Sequence, residues 1–332
     1  MFKSTRIFPI LVATSLFASI TLAQKGRDKI EIVKPKVYAA PVIEPSQSLQ
    51  SMLDKAVADV MTAGKFKPGE MAATVIDLRD PAKWTTASFE GERQLYTASV
   101  VKMFYIAALE RQLEDGKIVM TKELERGLRD MIVDSSNEAT QYILDVLTDT
   151  SSGSELPQKQ FEAWQYKRNR VNRFFSSLGY TNININQKTF CEDAYGIEQQ
   201  SRNYKGQNRN MLTTNATARL LAEIATRRFV NEARSSSMLA LMSRDWTTTD
   251  KDPNSQAVNF IGKALIDNKM TGAKLWSKAG WTSKARHDAA YIETPDGLKV
   301  VIAVFTENHA NEFEHVPALA AKVLKALTES KQ

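Results

Sequence analysis

Extended, alternating segments stand only at the two ends of this 332-residue chain, and a long stretch of helical periodicity separates them. Near the start, Met71 to Ile76 and Trp84 to Phe89 read as strands, with Asp80-Pro81 in the connection and Glu90-Gly91 as the following turn. Near the end, Leu275 to Lys278, Ala289 to Glu293 and Lys299 to Phe305 read the same way, the last two joined by Pro295-Asp296-Gly297. Between about Ser99 and Ile266 the apolar residues recur every three or four positions. Helices are expected over Ser99 to Asp115, Leu124 to Ile132, Glu138 to Leu147, Gln158 to Leu178 and Asn215 to Arg227, with Gly116 and Gly179 as stops. A sheet assembled from both chain ends, with a helical body inserted, follows from that order.

Two more helices frame the sheet. Leu49, Met52, Leu53, Ala56, Val57, Val60 and Met61 make one apolar stripe on a helix that Ser48 can cap, and a terminal helix runs from about Pro317 to Leu327. The fold class expected is therefore α/β in the broad α+β sense: an antiparallel sheet flanked by N- and C-terminal helices, plus an inserted all-helical domain. The organisation expected is a signal peptide over residues 1–23, a linker over 24–47 and a single folded domain over 48–330. Within that domain, 48–98 and 267–330 form the sheet part and 99–266 the helical part.

The first residues have the make-up of a secretory signal. Lys3 and Arg6 precede an apolar run from Ile7 to Leu22, and Thr21-Leu22-Ala23 ends it in a small residue, which places the mature N-terminus near Gln24. A secreted or periplasmic protein is expected, with no stable membrane insertion after cleavage. The run is short for a bilayer span and carries Pro9, Thr14, Ser15 and Ser19. Cys191 is the single cysteine, which excludes an intrachain disulfide and a cysteine-based metal site. The formal charge of +6 falls to +4 without Lys3 and Arg6. Part of that surplus lies in the Pro-containing segment Lys25 to Lys36, so nucleic-acid binding is not expected. The protein is expected to be a monomer.

Three short motifs carry chemistry. Ser99-Val100-Val101-Lys102 opens an amphipathic helix, so the serine meets unpaired backbone N–H groups while the lysine lies on the same face. Met103, Phe104, Ile106 and Ala107 make that helix apolar on most sides. A lysine enclosed there can lose its proton and act as base toward a hydroxyl. Ser135-Ser136-Asn137 lies between two helices and alone reads as an ordinary N-cap. Lys278-Ala279-Gly280-Trp281 ends a strand, where a small residue and a glycine let a ligand lie against the strand edge.

In this order the three motifs resemble the active-site set of the class A β-lactamases and related penicillin-recognising serine hydrolases. Leu95-Tyr96-Thr97-Ala98 leading into Ser99, and Asn210 to Thr214 before a helix with Ala218-Arg219-Leu220-Leu221, add to the likeness, which covers nearly all of Leu49 to Leu327. The resemblance implies that Ser99 is the nucleophile, Lys102 its base or proton partner, and Ser135 the donor to the departing ring nitrogen. It implies that Asn137 holds the substrate's side-chain amide, that Lys278, Ala279 and Gly280 line the carboxylate site with help from Arg286, and that the N–H groups of Ser99 and Trp281 form the oxyanion hole. The partner implied is a small-molecule substrate, β-lactam or peptidoglycan-like, and no cofactor and no metal are implied.

The chain departs from the family pattern in four places. The stretch from Lys102 to Ser135 is short, and that from Asn137 to Thr213 is long. The usual Glu-Pro-Glu-Leu-Asn run is missing, so the deacylating glutamate is either Glu192, in Phe190-Cys191-Glu192-Asp193, or Glu198. Glu192 is preferred because it stands closer to the helix ending at Gly179. Ala279 replaces a hydroxyl residue in the carboxylate site, which weakens binding there. A β-lactamase that turns over is the leading expectation. The alternatives are a slowly deacylating D-Ala-D-Ala peptidase or esterase-like relative, and a non-catalytic cell-wall-binding module. His287-Asp288 as part of a serine triad ranks below these.

Overall fold

The computed structural model describes residues 29–329, and the fold is built from residues 32–329. The expected signal peptide, residues 1–23, lies outside the described residues. Seven strands form one sheet: β1 (Ile43–Pro45), β2 (Met71–Asp77), β3 (Trp84–Phe89), β6 (Ser243–Arg244), β7 (Lys274–Trp281), β8 (Ala285–Glu293) and β9 (Lys299–Glu307), in the order β1-β3-β2-β9-β8-β7-β6. The N-terminal strands meet the C-terminal ones at the pair β2–β9, where Thr74 stands opposite Ala303. A separate two-stranded ribbon, β4 (Leu95–Tyr96) with β5 (Met211–Leu212), leads into the segment that carries Ser99.

The sheet is mixed rather than wholly antiparallel, because β1 runs parallel to β3. That edge strand comes from the segment expected to be linker. Ile32 in the same segment is buried, and the Tyr38 hydroxyl donates to Glu223 at 2.8 Å, so the ordered body begins well before residue 48.

The outer face of the sheet is covered by α1 (Gln47–Gly64) and α11 (His315–Glu329), together with α10 (Ile261–Asp267). Ser46, not Ser48, caps α1, its Oγ accepting from the Leu49 amide at 3.3 Å. Leu49, Leu53, Val57 and Val60 then pack with Leu319, Val323 and Leu327 against the sheet, as the apolar stripe requires. Because β6 pairs with β7 and α10 packs on the outer face, the chain returns to the sheet at Ser243, earlier than residue 267.

The inner face meets the helical body: α2 (Lys102–Glu114), α3 (Lys122–Ile132), α4 (Asn137–Thr148), α5 (Gln158–Arg168), α6 (Arg170–Ser177), α7 (Ile197–Arg202), α8 (Thr214–Ala225) and α9 (Glu232–Met242). The centre of this body is α2, whose residues are buried all round from Lys102 to Glu110. A helix with no exposed face sits in the core of a large domain. The single helix expected over Gln158 to Leu178 is broken at Asn169, whose side-chain oxygen is taken by Asn172 and Asn186. Among the described residues no helix is long and apolar enough to cross a membrane.

Candidate active site

Ser99 stands in a 3₁₀ turn, Ala98–Val101, that runs directly into α2. Ala98 before it takes a left-handed backbone, φ +43°, and this turns the chain from the β4 ribbon into the helix. The strand β7 passes close to the same turn. A Cβ placed on Gly280 would lie 2.6 Å from the Ser99 amide nitrogen and 2.9 Å from that of Val100, so glycine alone permits this approach. Ser99 is half-buried and lines a cleft of about 590 Å³ together with Asn137, Thr189, Cys191, Glu192, Arg209, Trp281, Lys284 and Glu307.

Behind Ser99 the side chains of three distant segments converge on Ser135. Lys102 Nζ donates to the Ser135 carbonyl at 2.5 Å, to Asn137 Oδ1 at 2.9 Å and to Ser135 Oγ at 3.3 Å. Lys278 Nζ approaches the same hydroxyl from β7 at 3.0 Å. Ser135 also has a left-handed backbone, φ +58°, held between the capped end of α3 and Ser136, which caps α4 through the Ala139 amide. A non-glycine residue in that region is strained, and the two amines on its side chain show what the strain positions.

Both lysines are wholly enclosed. Burial lowers Lys102 to about 7, against the opposing pull of the Glu138 carboxylate. Burial lowers Lys278 far below its ordinary value, and Lys102 and Arg244 push in the same direction against Asp288. Burial also lowers Arg244 to about 10 and raises Asp288 to about 6. Lys278 thus has two basic neighbours, Lys102 and Arg244, against one carboxyl, Asp288, and is short of an anion. Gln256 partly fills that need, its Oε1 accepting from Lys278 Nζ at 2.7 Å and from the Ala279 amide at 3.1 Å.

Arg286 is not where the resemblance put it to use. Residues paired across β7 and β8 share a face, and Arg286 pairs with Trp281 while Lys278 pairs with Ala289. Its guanidinium therefore points to the other side of the sheet from Lys278. It is buried there against the Phe260 ring and donates to Pro253 O, Asn254 Oδ1 and Asn259 O. The guanidinium that does line the cleft belongs to Arg209, stacked 4.3 Å over the Tyr96 ring.

The two candidate glutamates separate cleanly. Glu192 is exposed and lines the cleft with Ser99. Glu198 is buried at 1% exposure under the long 149–210 segment, fixed by Arg168 at 2.6 and 2.8 Å and by Ser152 at 2.9 Å. Lys188 and Asp145 complete that cluster. With the side chains of Asn184, Asn186, Asn208 and Asn210 it anchors residues 184–188, so that the following loop reaches across α4. Thr189 O accepts from Gln141 at 3.1 Å, and Asn137 Nδ2 lies 3.5 Å from Cys191 Sγ.

His287 is ruled out as a triad base by its surroundings. Its Nε2 faces Tyr96 O at 2.8 Å, its Nδ1 accepts from the Thr306 amide at 3.1 Å, and burial lowers it to about 4, so it is neutral and fully occupied. Sequence reasoning missed Gln256, Arg244 and Arg209. A lone glutamine or arginine in a loop or at a strand end carries no pattern by which to find it.

A family model described as "Beta-lactamase enzyme family" matches residues 52–327. Solved structures share the fold. A β-lactamase from Sphaerobacter thermophilus is 21% identical, with a TM-score of 0.60 over 84% of this chain and 98% of its own. A class A β-lactamase from Bacteroides cellulosilyticus is 15% identical, TM-score 0.59, covering 86% and 100%. A PBP-A variant solved as an acyl-enzyme with penicillin G is 16% identical, TM-score 0.58, covering 87% and 99%. No curated protein matches the chain. Fold and family match together define a β-lactamase-like serine hydrolase. The chain belongs to the beta-lactamase enzyme family.

Proposed function

We propose that this chain opens β-lactam rings through an ester on Ser99. The observation that carries the proposal is the Ser135 hydroxyl held between two enclosed amines, Lys102 and Lys278, beside the turn that presents Ser99. In this reading Lys102, brought near neutrality by burial, takes the Ser99 proton as Oγ attacks the ring carbonyl. The carbonyl oxygen is received by the Ser99 and Trp281 amides, which Gly280 allows to converge. Ser135 then relays a proton to the nitrogen as the C–N bond breaks. The ligand carboxylate supplies the anion that Lys278 and its neighbours lack, with Arg209 or Lys284 available at the cleft wall and Arg286 outside it. Asn137 binds the ligand's side-chain amide.

In this reading Glu192, which lines the cleft with Ser99, deprotonates the water that hydrolyses the ester. Its exposed position on the loop favours slow release, as in a peptidase-like relative, over fast turnover. Mass spectrometry after incubation with penicillin G tests the reading: a covalent adduct on wild type and none on Ser99→Ala is expected. No adduct on either protein would leave only the alternative of a non-catalytic binding module. Burst kinetics with a chromogenic cephalosporin then separate steady hydrolysis from trapping. Export belongs to the same proposal. N-terminal sequencing of the protein recovered from outside the cytoplasm should begin near Gln24, and a chain retained with Met1 would refute it.

A further inference from the structure

Away from the cleft, the connection between β9 and α11 places His309, Glu312 and His315 three residues apart, and one ligand atom of each lies within 4.8 Å of the others. Glu312 Oε1 is 3.1 Å from His309 Nδ1, and its Oε2 is 2.6 Å from His315 Nε2. The remaining nitrogen of His309, Nε2, is 3.1 Å from Glu70 Oε2. Glu70 is itself fixed, accepting from the Lys67 amide at 2.8 Å and from Asn308 Nδ2 at 3.1 Å.

A neutral imidazole has one N–H to give. His309 has a carboxylate at each nitrogen, Glu70 at Nε2 and Glu312 at Nδ1. A metal-binding histidine donates its outer N–H to a carboxylate while the lone pair of the other nitrogen meets the metal, and Glu70 and Glu312 stand in those two positions.

The surroundings hold both rings in place. Phe66 stacks on His309 with centroids 3.7 Å apart and meets His315 edge-on at 4.8 Å. His315 lies against the end of α1, where a Cβ on Gly64 would come within 2.6 Å of its Cε1. The side chains of His309 and His315 are 9% and 15% exposed, whereas Glu312 at 52% leaves one side open to solvent.

We propose that His309, Glu312 and His315 bind a divalent transition metal of the Zn²⁺ type, with Glu70 orienting His309 and water as the fourth ligand. Tetrahedral Zn²⁺ holds nitrogen and oxygen ligands about 3.3 Å apart, so the widest separation in the cluster, 4.8 Å, closes by about 1.5 Å while the 2.6 Å contact of Glu312 with His315 opens to admit the ion. The ion pins the 308–314 connection against the C-terminal end of α1. Through Phe313, whose ring lies 4.4 Å from the Arg286 guanidinium, it also steadies the outer side of β8. The site is separate from the Ser99 cleft and stands whether or not Ser99 acylates.

The test is titration of the metal-free chain with Zn²⁺ against a chromophoric chelator, and with Co²⁺ followed by visible absorption. One equivalent should bind at micromolar concentration or tighter, Co²⁺ should show tetrahedral d–d bands, and melting should rise by about 5 °C at a hundredfold excess over Kd. His315→Gln and Glu312→Gln should each weaken binding at least tenfold, and Glu70→Gln by about 10–100-fold while leaving all three ligands in place. Cys191→Ser, which removes the other soft donor, should bind as wild type does. Absence of binding by the folded wild-type chain would overturn the proposal. Binding that survives His315→Gln, or is lost in Cys191→Ser, would also overturn it.

Discussion

Replacing Lys102 by methionine should make the protein more stable at neutral pH while removing acylation, and the gain should shrink as pH rises. Burial takes the Lys102 amine from its ordinary 10.5 to about 7 in the folded chain. Below pH 7 the amine is charged in both states, and the folded state bears the full cost of enclosing that charge. Above 10.5 it is neutral in both and the cost is gone. Between these limits the unfolded chain holds a proton that the folded chain lacks, so wild-type stability rises with pH by up to about 1.4 kcal/mol per unit. From pH 7.5 to 9.5 the wild type should therefore gain about 2.5 kcal/mol on Lys102→Met. Lys278 does not cancel this. Without Lys102 beside it, its own amine moves back toward the ordinary value, which flattens the variant's curve further. Urea denaturation of both proteins at the two pH values measures the difference. Parallel stability curves would refute the reasoning, because they would mean that the Lys102 amine stays charged when the chain folds.

Three further outcomes follow from the site. Gly280→Ala drives a methyl into the backbone of the nucleophile turn, and acylation by penicillin G should fall by about 100-fold or more with the fold retained by circular dichroism; an unchanged rate would show that β7 does not set the position of Ser99. Glu192→Gln should accumulate acyl-enzyme with normal folding, whereas Glu198→Gln should lower stability by about 3–5 kcal/mol by leaving Arg168 and Lys188 short of their anion. The reverse pattern in deacylation rates and melts would exchange their roles. Gln256→Glu places an anion on Lys278, so KM for carboxylate-bearing substrates should rise on the order of tenfold while that for neutral thioesters stays level; equal changes for both would remove Lys278 from ligand binding.

Much of this arrangement could be read from the chain. The stripe from Leu49 to Met61, the runs ending at Gly116 and Gly179, and the strands after Met71 and Lys299 carry their periods openly, because each has one face in a core. The meeting of Lys102, Ser135, Asn137 and Lys278, with Ser99 on the wall of the adjoining cleft, followed from motif order. What escaped was decided by tertiary partners. The first half of β8, Arg286-His287-Asp288, has no strand-like composition; it is extended because each polar side chain finds its partner elsewhere. The same strand shows why Arg286 was misplaced: a period of two assigns its face only once the pairing with Trp281 is known. Helix α9 carries Ser235-Ser236-Ser237 and α10 is only seven residues long, so neither stands out by propensity. The edge strand β1 ends in Pro45, acceptable only where nothing lies beyond it.

The pairing of β2 with β9 joins residues more than two hundred positions apart, and Gly280 reaches the Ser99 turn from nearly as far along the chain. Long-range pairing of this kind is slow to form, since the ends of a large loop must meet before any contact rewards them. With one cysteine no covalent link can hold an early intermediate together. A chain cut short before residue 299 would present the bare edge of β2 and an unclosed cleft. Synthesis of β9 thus sets the moment at which the sheet closes over β2 and the cleft can form.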